Sequence, residues 1–435
     1  MPEPKMRTSP TEAWLLVGQL DGRASLPAPM DMLGGVSHLM RLACEASMAG
    51  CTRVIVVSSD AIDLAAVQSD PRFKNATLTL ARTAPTGGPE DAILVIRGDR
   101  VFHRDMPKAV IRAWNESTAD VAKIIGAEHD AVLVTDRTLA SRLHAVAPEP
   151  HGIQEELARH ETATAAVPYF GFTAKPTTPA EVRTAERTLI WSLRKSADGM
   201  VAKLINRRIS HPITYLLRNT PISPNHVTAV ALLCAIVGGI VISRGSYLAG
   251  AIGMFLVNFG SIVDGVDGEI ARLRYQFSQS GQWFDTIADD VATVAYTTGC
   301  MISLRASGAA WVMPLWAVAT SCFLLTQGTQ YFLIRVVYKS GDLAAIPWAF
   351  QSSAFLSQQP TGFWPRLRAN IPKMLKRDFA VAMFTLAAFL GFLEVPLLGF
   401  STGAIIFFGV FVTQFARNFR TLPRRRALGA DIHTT

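Results

Sequence analysis

Charge is scarce in this chain. Only 17% of its 435 residues are Asp, Glu, Lys or Arg, against 49% hydrophobic residues, and mean hydropathy is +0.25. That excludes a disordered or fibrous chain and is greasier than a purely soluble enzyme should be. Cysteine is scarcer still. The five present (Cys44, Cys51, Cys234, Cys300, Cys322) show no paired metal-ligand spacing. Three lie in apolar runs, so all five read as reduced packing residues. No internal repeat is visible, and the polar N-terminus lacks a signal-peptide core, which predicts that the first domain stays in the cytosol. Up to about Arg218 long apolar runs are missing too; from Val227 onward they are long enough to cross a bilayer. Acid is in short supply relative to base, with net charge +8 and pI near 9.4. Such a balance suits nucleic acid, a membrane surface or phosphorylated substrates. Because the excess collects at the edges of the apolar runs, membrane and phosphate are the expected partners, and no nucleic acid is expected.

What is present divides into two parts: an N-terminal α/β domain with a mostly parallel sheet, and a C-terminal all-α domain of six transmembrane helices. Trp14–Val17, Arg53–Ser58, Ile93–Ile96 and Ala131–Val134 are short strand-like runs, with a helical pattern at Leu39–Met48 between the first two. Residues 1–178 are assigned to this domain. Residues 179–223 form a basic connector in which Val201, Leu204, Ile205, Ile209, Ile213, Leu216 and Leu217 can share one helix face. Lys203, Arg207, Arg208 and Arg218 lie around that face, which predicts a helix resting on the cytosolic membrane surface.

Residues 224–435 hold six spanning candidates: Val227–Ser243, Tyr247–Val263, Phe284–Leu304, Ala309–Ile334, Phe379–Leu393 and Pro396–Phe415. Glu394-Val395-Pro396 is expected as the turn between the last two. One side of the membrane carries only Arg244 and Arg305. The other collects Arg207, Arg208, Arg218, Arg272, Arg274, Arg335, Lys339, Arg366, Arg368, Lys373, Lys376, Arg377, Arg417, Arg420 and Arg424–Arg426. The second side is therefore the cytosolic one, with both termini on it.

Carboxylates inside apolar helices are expensive and call for a reason. Asp264 and Asp267 are three apart, and Asp285 and Asp289 four apart, so each pair shares a helix face. Two facing helices bearing such pairs make a cluster of oxygen ligands suited to Mg²⁺ or Mn²⁺. Gly268 and Ala271 leave room for a large group near the backbone, and Arg272 adds a cation suited to phosphate. Asp290 points about 100° away from Asp289 around the helix and is expected to be a polar neighbour or the partner of a basic residue. A divalent-cation transporter is the rival reading, since intramembrane carboxylates also mark ion paths.

Asp264-Gly-Val-Asp267-Gly268-Glu-Ile-Ala271-Arg272, eight further residues, then Gly281, Asp285 and Asp289 at four-residue steps resembles the complete signature of the CDP-alcohol phosphotransferase family. The resemblance implies a membrane transferase that moves a phospho-alcohol group from a CDP-alcohol to an acceptor hydroxyl and releases CMP. It implies a two-metal centre at Asp264, Asp267 and Asp285, with Asp289 completing it as general base. Gly268, Ala271, Arg272 and Gly281 would hold the CDP moiety. Pro224-Asn225-His226-Val227-Thr228 resembles the family's opening of its first span, which places Asn225 and Thr228 near the nucleotide. Homodimerisation is implied by the family, and membrane lipid is an expected partner. Arg335, Arg417 and Arg420 are candidates for an acceptor phosphate and equally ordinary positive-inside anchors.

The N-terminal region resembles sugar-phosphate-type nucleotidyltransferases. Ala49-Gly50-Cys-Thr-Arg-Val-Ile-Val-Val57 matches their second strand, and Leu94-Val-Ile-Arg-Gly98-Asp99 the strand ending in a metal-binding Asp. Thr177-Thr178-Pro179-Ala-Glu-Val182 matches a late segment. Asp99 is thus a vestigial metal position. Gly18-Gln-Leu-Asp21-Gly22-Arg23 only approximates the phosphate-holding loop. Pro27-Ala28-Pro29 lacks the expected Lys, and Phe172-Thr-Ala-Lys175 stands where a second Asp belongs. These departures predict an inactive or altered domain; an active cytidylyltransferase and a regulatory or docking module are the alternatives. Lys195–Gly199, Asn206–Ser210 and Thr220–Asn225 further resemble the connector of bifunctional inositol-phosphate cytidylyltransferase/di-myo-inositol phosphate phosphate synthases. That favours inositol-type substrates, with diacylglycerol donors as the main alternative.

Overall fold

The computed structural model describes residues 9–20, 23–73, 76–85, 92–119, 121–124, 131–148, 152–159, 164–167, 171–194, 199, 201–338 and 377–418. They form two compact units. The first takes the chain up to Leu193 with the short segments Tyr215–Thr220 and Arg272–Gln276; the second holds Arg194–Thr214, Pro221–Ala271 and the chain from Phe277.

In the first unit a seven-stranded sheet runs in the order β7-β5-β6-β4-β1-β2-β3. The strands are β1 (Glu12–Leu16), β2 (Arg53–Val57), β3 (Thr77–Ala81), β4 (Ile93–Arg97), β5 (Val121–Ile124), β6 (Val132–Thr135) and β7 (Thr164–Val167). The pairs β1–β2, β1–β4, β2–β3 and β5–β7 are parallel, and only β6 runs against its neighbours β4 and β5. Strand alternation feeds two cores. One face (Ala13, Leu15, Val54, Val56, Leu94, Ile96) packs on helices α1 (His38–Met48) and α2 (Met106–Asn115). The other (Trp14, Leu16, Ile55, Val57, Ile93, Val95) packs on α3 (Arg137–Val146) and α4 (Gly152–Ala158). Local chemistry starts the helices: Ser37 accepts from the Met40 N–H at 3.3 Å and Asp136 from the Leu139 N–H at 2.8 Å.

The helix α5 (Pro179–Ser192), read from sequence as the start of the connector, buries Ala185, Leu189 and Ile190 against Leu33, Val101 and Phe172 within this unit. The same unit contains a buried polar group in which Tyr275 donates to Glu45 (2.6 Å) and accepts from Arg41 (3.2 Å). Burial pushes the Glu45 carboxyl up to about 7, with the Arg41 charge opposing it.

The second unit is helical: α6 (Arg207–Leu217) as far as Thr214, α7 (Pro224–Ile242), α8 (Tyr247–Arg274) as far as Ala271, α9 (Gln279–Ala306), α10 (Val312–Leu333), α11 (Arg377–Phe389) and α12 (Glu394–Asn418). Every predicted span falls on one of the last six. Three described helices are long and apolar enough to cross a membrane: Pro224–Ile242, Tyr247–Arg274 and Glu394–Thr413. The others differ for visible reasons. Helix α9 carries Asp285, Asp289 and Asp290, α10 is interrupted by Thr, Ser and Gln, and α11 has 13 residues. The turn expected at Glu394-Val395-Pro396 is displaced. Gly391, at φ +87°, makes the turn, and Glu394 opens α12, where a carboxylate suits the positive helix end. Leu233, Leu248, Leu325, Phe332 and Ile406 are each more than half exposed, the outward apolar surface that membrane helices present. The cysteines are all free, with Cys44, Cys51 and Cys300 buried.

Close helix approach in this unit rests on glycine. A Cβ on Gly299 of α9 would lie 2.2 Å from the Gly239 carbonyl oxygen of α7, and one on Gly239 would lie 2.5 Å from the Ala295 carbonyl oxygen. Both clashes are with backbone, which cannot swing aside. Gly299→Leu is therefore expected to lower the apparent Tm of the detergent-solubilised protein by at least about 5 °C. Gly328→Ala, with nothing within 4 Å of the new methyl, should leave it within about 2 °C. Equal thermal shifts for the two variants would show that the α7–α9 contact is not tight.

Candidate active site in the helical unit

The site begins at the start of α7. Ser223 caps the helix by accepting from the His226 N–H, while the His226 ring accepts from the Ser223 N–H, and Pro224 occupies the first turn. This cap fixes where Asn225 and Thr228 emerge. Thr228 is buried and its hydroxyl donates to Asp267. Asn225 lies beside α9: its Oδ1 is 3.0 Å from where a Cβ on Gly281 would stand, and Ser278 Oγ is 2.7 Å from the same point. Gly281 therefore keeps this approach open.

Helices α8 and α9 bring Asp264, Asp267 and Asp285 together, with one ligand oxygen from each lying within 4.8 Å of the others. The Asp267 carboxylate is oriented by Thr228 and by the Gly268 N–H. Three carboxylates this close, with hard oxygen donors and two of them only half-buried, are a donor set that fits a divalent cation. Asp289, predicted as a fourth ligand, stands outside this trio. It pairs instead with Arg377 at the start of α11, whose other nitrogen lies 3.6 Å from Asp264. A cavity of about 20 Å³, lined by Thr228, Ser261, Asp264, Asp289, Tyr296 and Arg377, has room for a water-sized group.

Ala271 follows on α8, half-buried. Arg272 lies in the short segment grouped with the first unit. Asp290 turns away from the trio and accepts from Gln327 at 2.9 and 3.0 Å and from the Tyr331 hydroxyl. Arg335 is exposed. Arg417 lies on α12, and Arg420 lies outside the described residues, as do Lys339, Arg366, Arg368, Lys373, Lys376 and Arg424–Arg426.

Two residues escaped the sequence reading. Arg377 was one basic residue among many at the edges of apolar runs, and nothing in its local pattern distinguished it. Glu269 was a detectable omission: it is a carboxylate within the same apolar helix as Asp264, and that expense alone should have marked it.

Residues 221–415 match the family model described as CDP-alcohol phosphatidyltransferase. The match covers the acidic trio and the helices that carry it. The family uses a CDP-alcohol donor and an alcohol acceptor and is generally dependent on divalent metal. The chain is 31% identical over 157 residues to a bifunctional IPC transferase and DIPP synthase of Thermococcus kodakarensis, covering 36% of this chain and 34% of that protein. A protein of the same name from Rubrobacter xylanophilus is 37% identical over 122 residues, covering 28% and 27%. The match thus spans about a third or less of these relatives' length. Solved structures similar to this chain include an inositol-1-phosphate CTP transferase from T. maritima, at 11% identity and TM-score 0.32, over 42% of this chain and 97% of that one. Another is a putative glucose-1-phosphate thymidylyltransferase from Bacillus anthracis, at 11% identity and TM-score 0.33, over 41% and 94%.

Outside the matched residues, Asp99 is engaged differently from the expected metal position. It is buried, and Arg97 donates to both of its oxygens, at 2.9 and 2.7 Å, with Arg100 3.9 Å away. A bidentate guanidinium occupies the oxygens that a metal would need. The approximate phosphate loop is folded as a short hairpin, with Gln19–Leu20 paired to Arg23–Ala24, and its residues 21 and 22 lie outside the described ones. At the expected second Asp, Thr173–Ala174 pairs with Val101–Phe102. Incubation of the whole protein with CTP and a panel of alcohol phosphates should consume no CTP above background. Turnover that disappears in Asp99→Ala would show this unit to be a working cytidylyltransferase.

Proposed function

We propose that the protein is an integral membrane transferase that moves a phospho-alcohol group from a CDP-alcohol to an acceptor hydroxyl, releasing CMP. The observation that carries this reading is the convergence of Asp264, Asp267 and Asp285 oxygens within 4.8 Å, from a signature with no position missing. Divalent cations held there, Mg²⁺ or Mn²⁺ as a pair, would neutralise the donor's diphosphate and the leaving CMP.

The chain's own residues do the rest. Asn225, Thr228, Gly268, Ala271, Arg272 and Gly281 hold the CDP moiety; the buried Thr228 hydroxyl also fixes the carboxylate of Asp267. Asp289 takes the proton of the acceptor hydroxyl. The freed oxygen pair bonds to the alcohol-linked phosphorus as the bond from that phosphorus to the CMP oxygen breaks, giving a phosphodiester without a covalent enzyme intermediate. Arg377, already between Asp289 and Asp264, supplies a cation for a substrate phosphate. Arg335, Arg417 and Arg420 would meet the phosphate of a phosphorylated acceptor.

Inositol-type substrates are favoured by the connector pattern and by the names of the relatives. In this reading residues 1–178 together with α5 form the soluble domain, the remainder of 179–223 is the connector, and 224–435 form six spans with both termini cytosolic. It works as a homodimer with lipid around it.

CMP release from CDP-alcohols is expected to stop on exhaustive chelation and to return with Mg²⁺ or Mn²⁺. Undiminished release after chelation would remove the metal role of the trio. Asp289→Asn should cut turnover by at least about a hundredfold while leaving CDP-alcohol binding largely intact, because an amide cannot take the hydroxyl proton. Product mass spectrometry over a panel of donors and acceptors checks both. Near-normal turnover in the variant would mean that Asp289 is not the base.

A further inference from the structure

Helix α6 is turned inside out. Ile209 and Leu216 point outward, at 39% and 75% exposure, as do Leu204 (55%) and Ile205 (52%) just before it, while Ile213 and Leu217 are half-buried. Its polar residues Arg207, Ser210, His211 and Thr214 are buried. Their spacing of three, four and seven puts these four on one face. What they face is a single carboxylate. Glu269 of α8 is fully buried and accepts from Ser210 Oγ at 2.6 Å, from Thr214 Oγ1 and from Arg207 Nη1, with His211 Nε2 at 3.6 Å. Arg207 also donates to the Gly265 carbonyl oxygen at 3.3 Å. Gly265 leaves space for that guanidinium, since a Cβ there would stand 3.3 Å from it.

Glu269 lies two residues beyond Asp267 and five beyond Asp264. At about 100° per residue it projects from the far side of α8, away from the face that bears Asp264 and Asp267. A buried carboxylate met by several donors fixes the rotation of the helix that carries it, because leaving it unpaired is costly. Rotation matters here. Carboxylate oxygens stand roughly 5 Å from a helix axis, so turning α8 by about 15° would move those of Asp264 and Asp267 by about 1 Å relative to Asp285.

We infer that Glu269 is a positioning residue: by binding the inward polar face of α6, it holds α8 in the rotation that brings Asp264 and Asp267 to Asp285. The inference rests on the proposed function above and adds to it a residue that touches neither substrate nor metal.

Mn²⁺ binding to the full-length protein, followed by electron paramagnetic resonance, tests this alongside CMP-release kinetics. Glu269→Gln keeps the shape but removes the charge that the donors meet. It is expected to weaken Mn²⁺ binding by about tenfold or more and to lower kcat, with little change in the KM for the CDP-alcohol. Glu269→Asp, which retains the carboxylate, should recover part of both. If Glu269→Gln does not fold, the milder Ser210→Ala/Thr214→Val double variant reads the same clamp, and weaker Mn²⁺ binding is again expected. Wild-type Mn²⁺ affinity and kcat in the folded clamp variants would overturn the inference. Asp264→Asn serves as the control that separates the two ideas. If it loses Mn²⁺ while the clamp variants keep it, the positioning role alone fails. If it binds Mn²⁺ as the wild type does, the metal reading of the trio fails and takes the positioning role with it.

Discussion

Three carboxylates held within 4.8 Å of one another in an apolar helical unit form the constraint on which the rest of this protein depends. Like charges at that separation repel, and burial removes the water that would screen them. They persist only where their surroundings supply compensation and hold them in register. The compensation is visible around Asp267 and Asp264. Thr228 and the Gly268 N–H meet Asp267, Arg377 approaches Asp264, and the cluster remains partly open to an incoming cation.

Register is supplied by packing of two different kinds. On one side, glycine allows backbone-to-backbone approach: Gly299 and Gly239 let α9 and α7 come closer than any side chain would permit. Such contacts suit a membrane, where apolar burial no longer discriminates between helices and close van der Waals packing does. On the other side, α8 is gripped through Glu269 by the buried polar face of α6. Glycine contacts set how near the helices come, and a buried carboxylate met from one direction sets how they are turned.

The first unit shows a different use of buried charge. Its sheet and two cores are complete, but Asp99, at the end of β4, is closed by the two-pronged Arg97 contact. A carboxylate satisfied in this way is inexpensive to bury and poorly available to a metal. The sheet and its two cores thus do not depend on leaving that carboxylate open.

The sequence by itself determined the two-part fold, the principal strands to within a residue or two and the positions of six apolar helices, because period-two and long apolar patterns are local. It also gave Asp264 and Asp267 on one helix face, since fixed spacing on a helix dictates a shared face. Tertiary structure alone decided that Asp289 meets Arg377, more than eighty residues away along the chain, because no local pattern encodes which distant helix end arrives beside it. It decided the orientation of α6 as well. From sequence, its apolar residues and its basic residues were equally legible, but whether Arg207 faced solvent or a buried acid depended on Glu269 lying opposite. It also moved α5 from the connector into the first unit's core, since an amphipathic helix records that it has an apolar face and not which surface covers it.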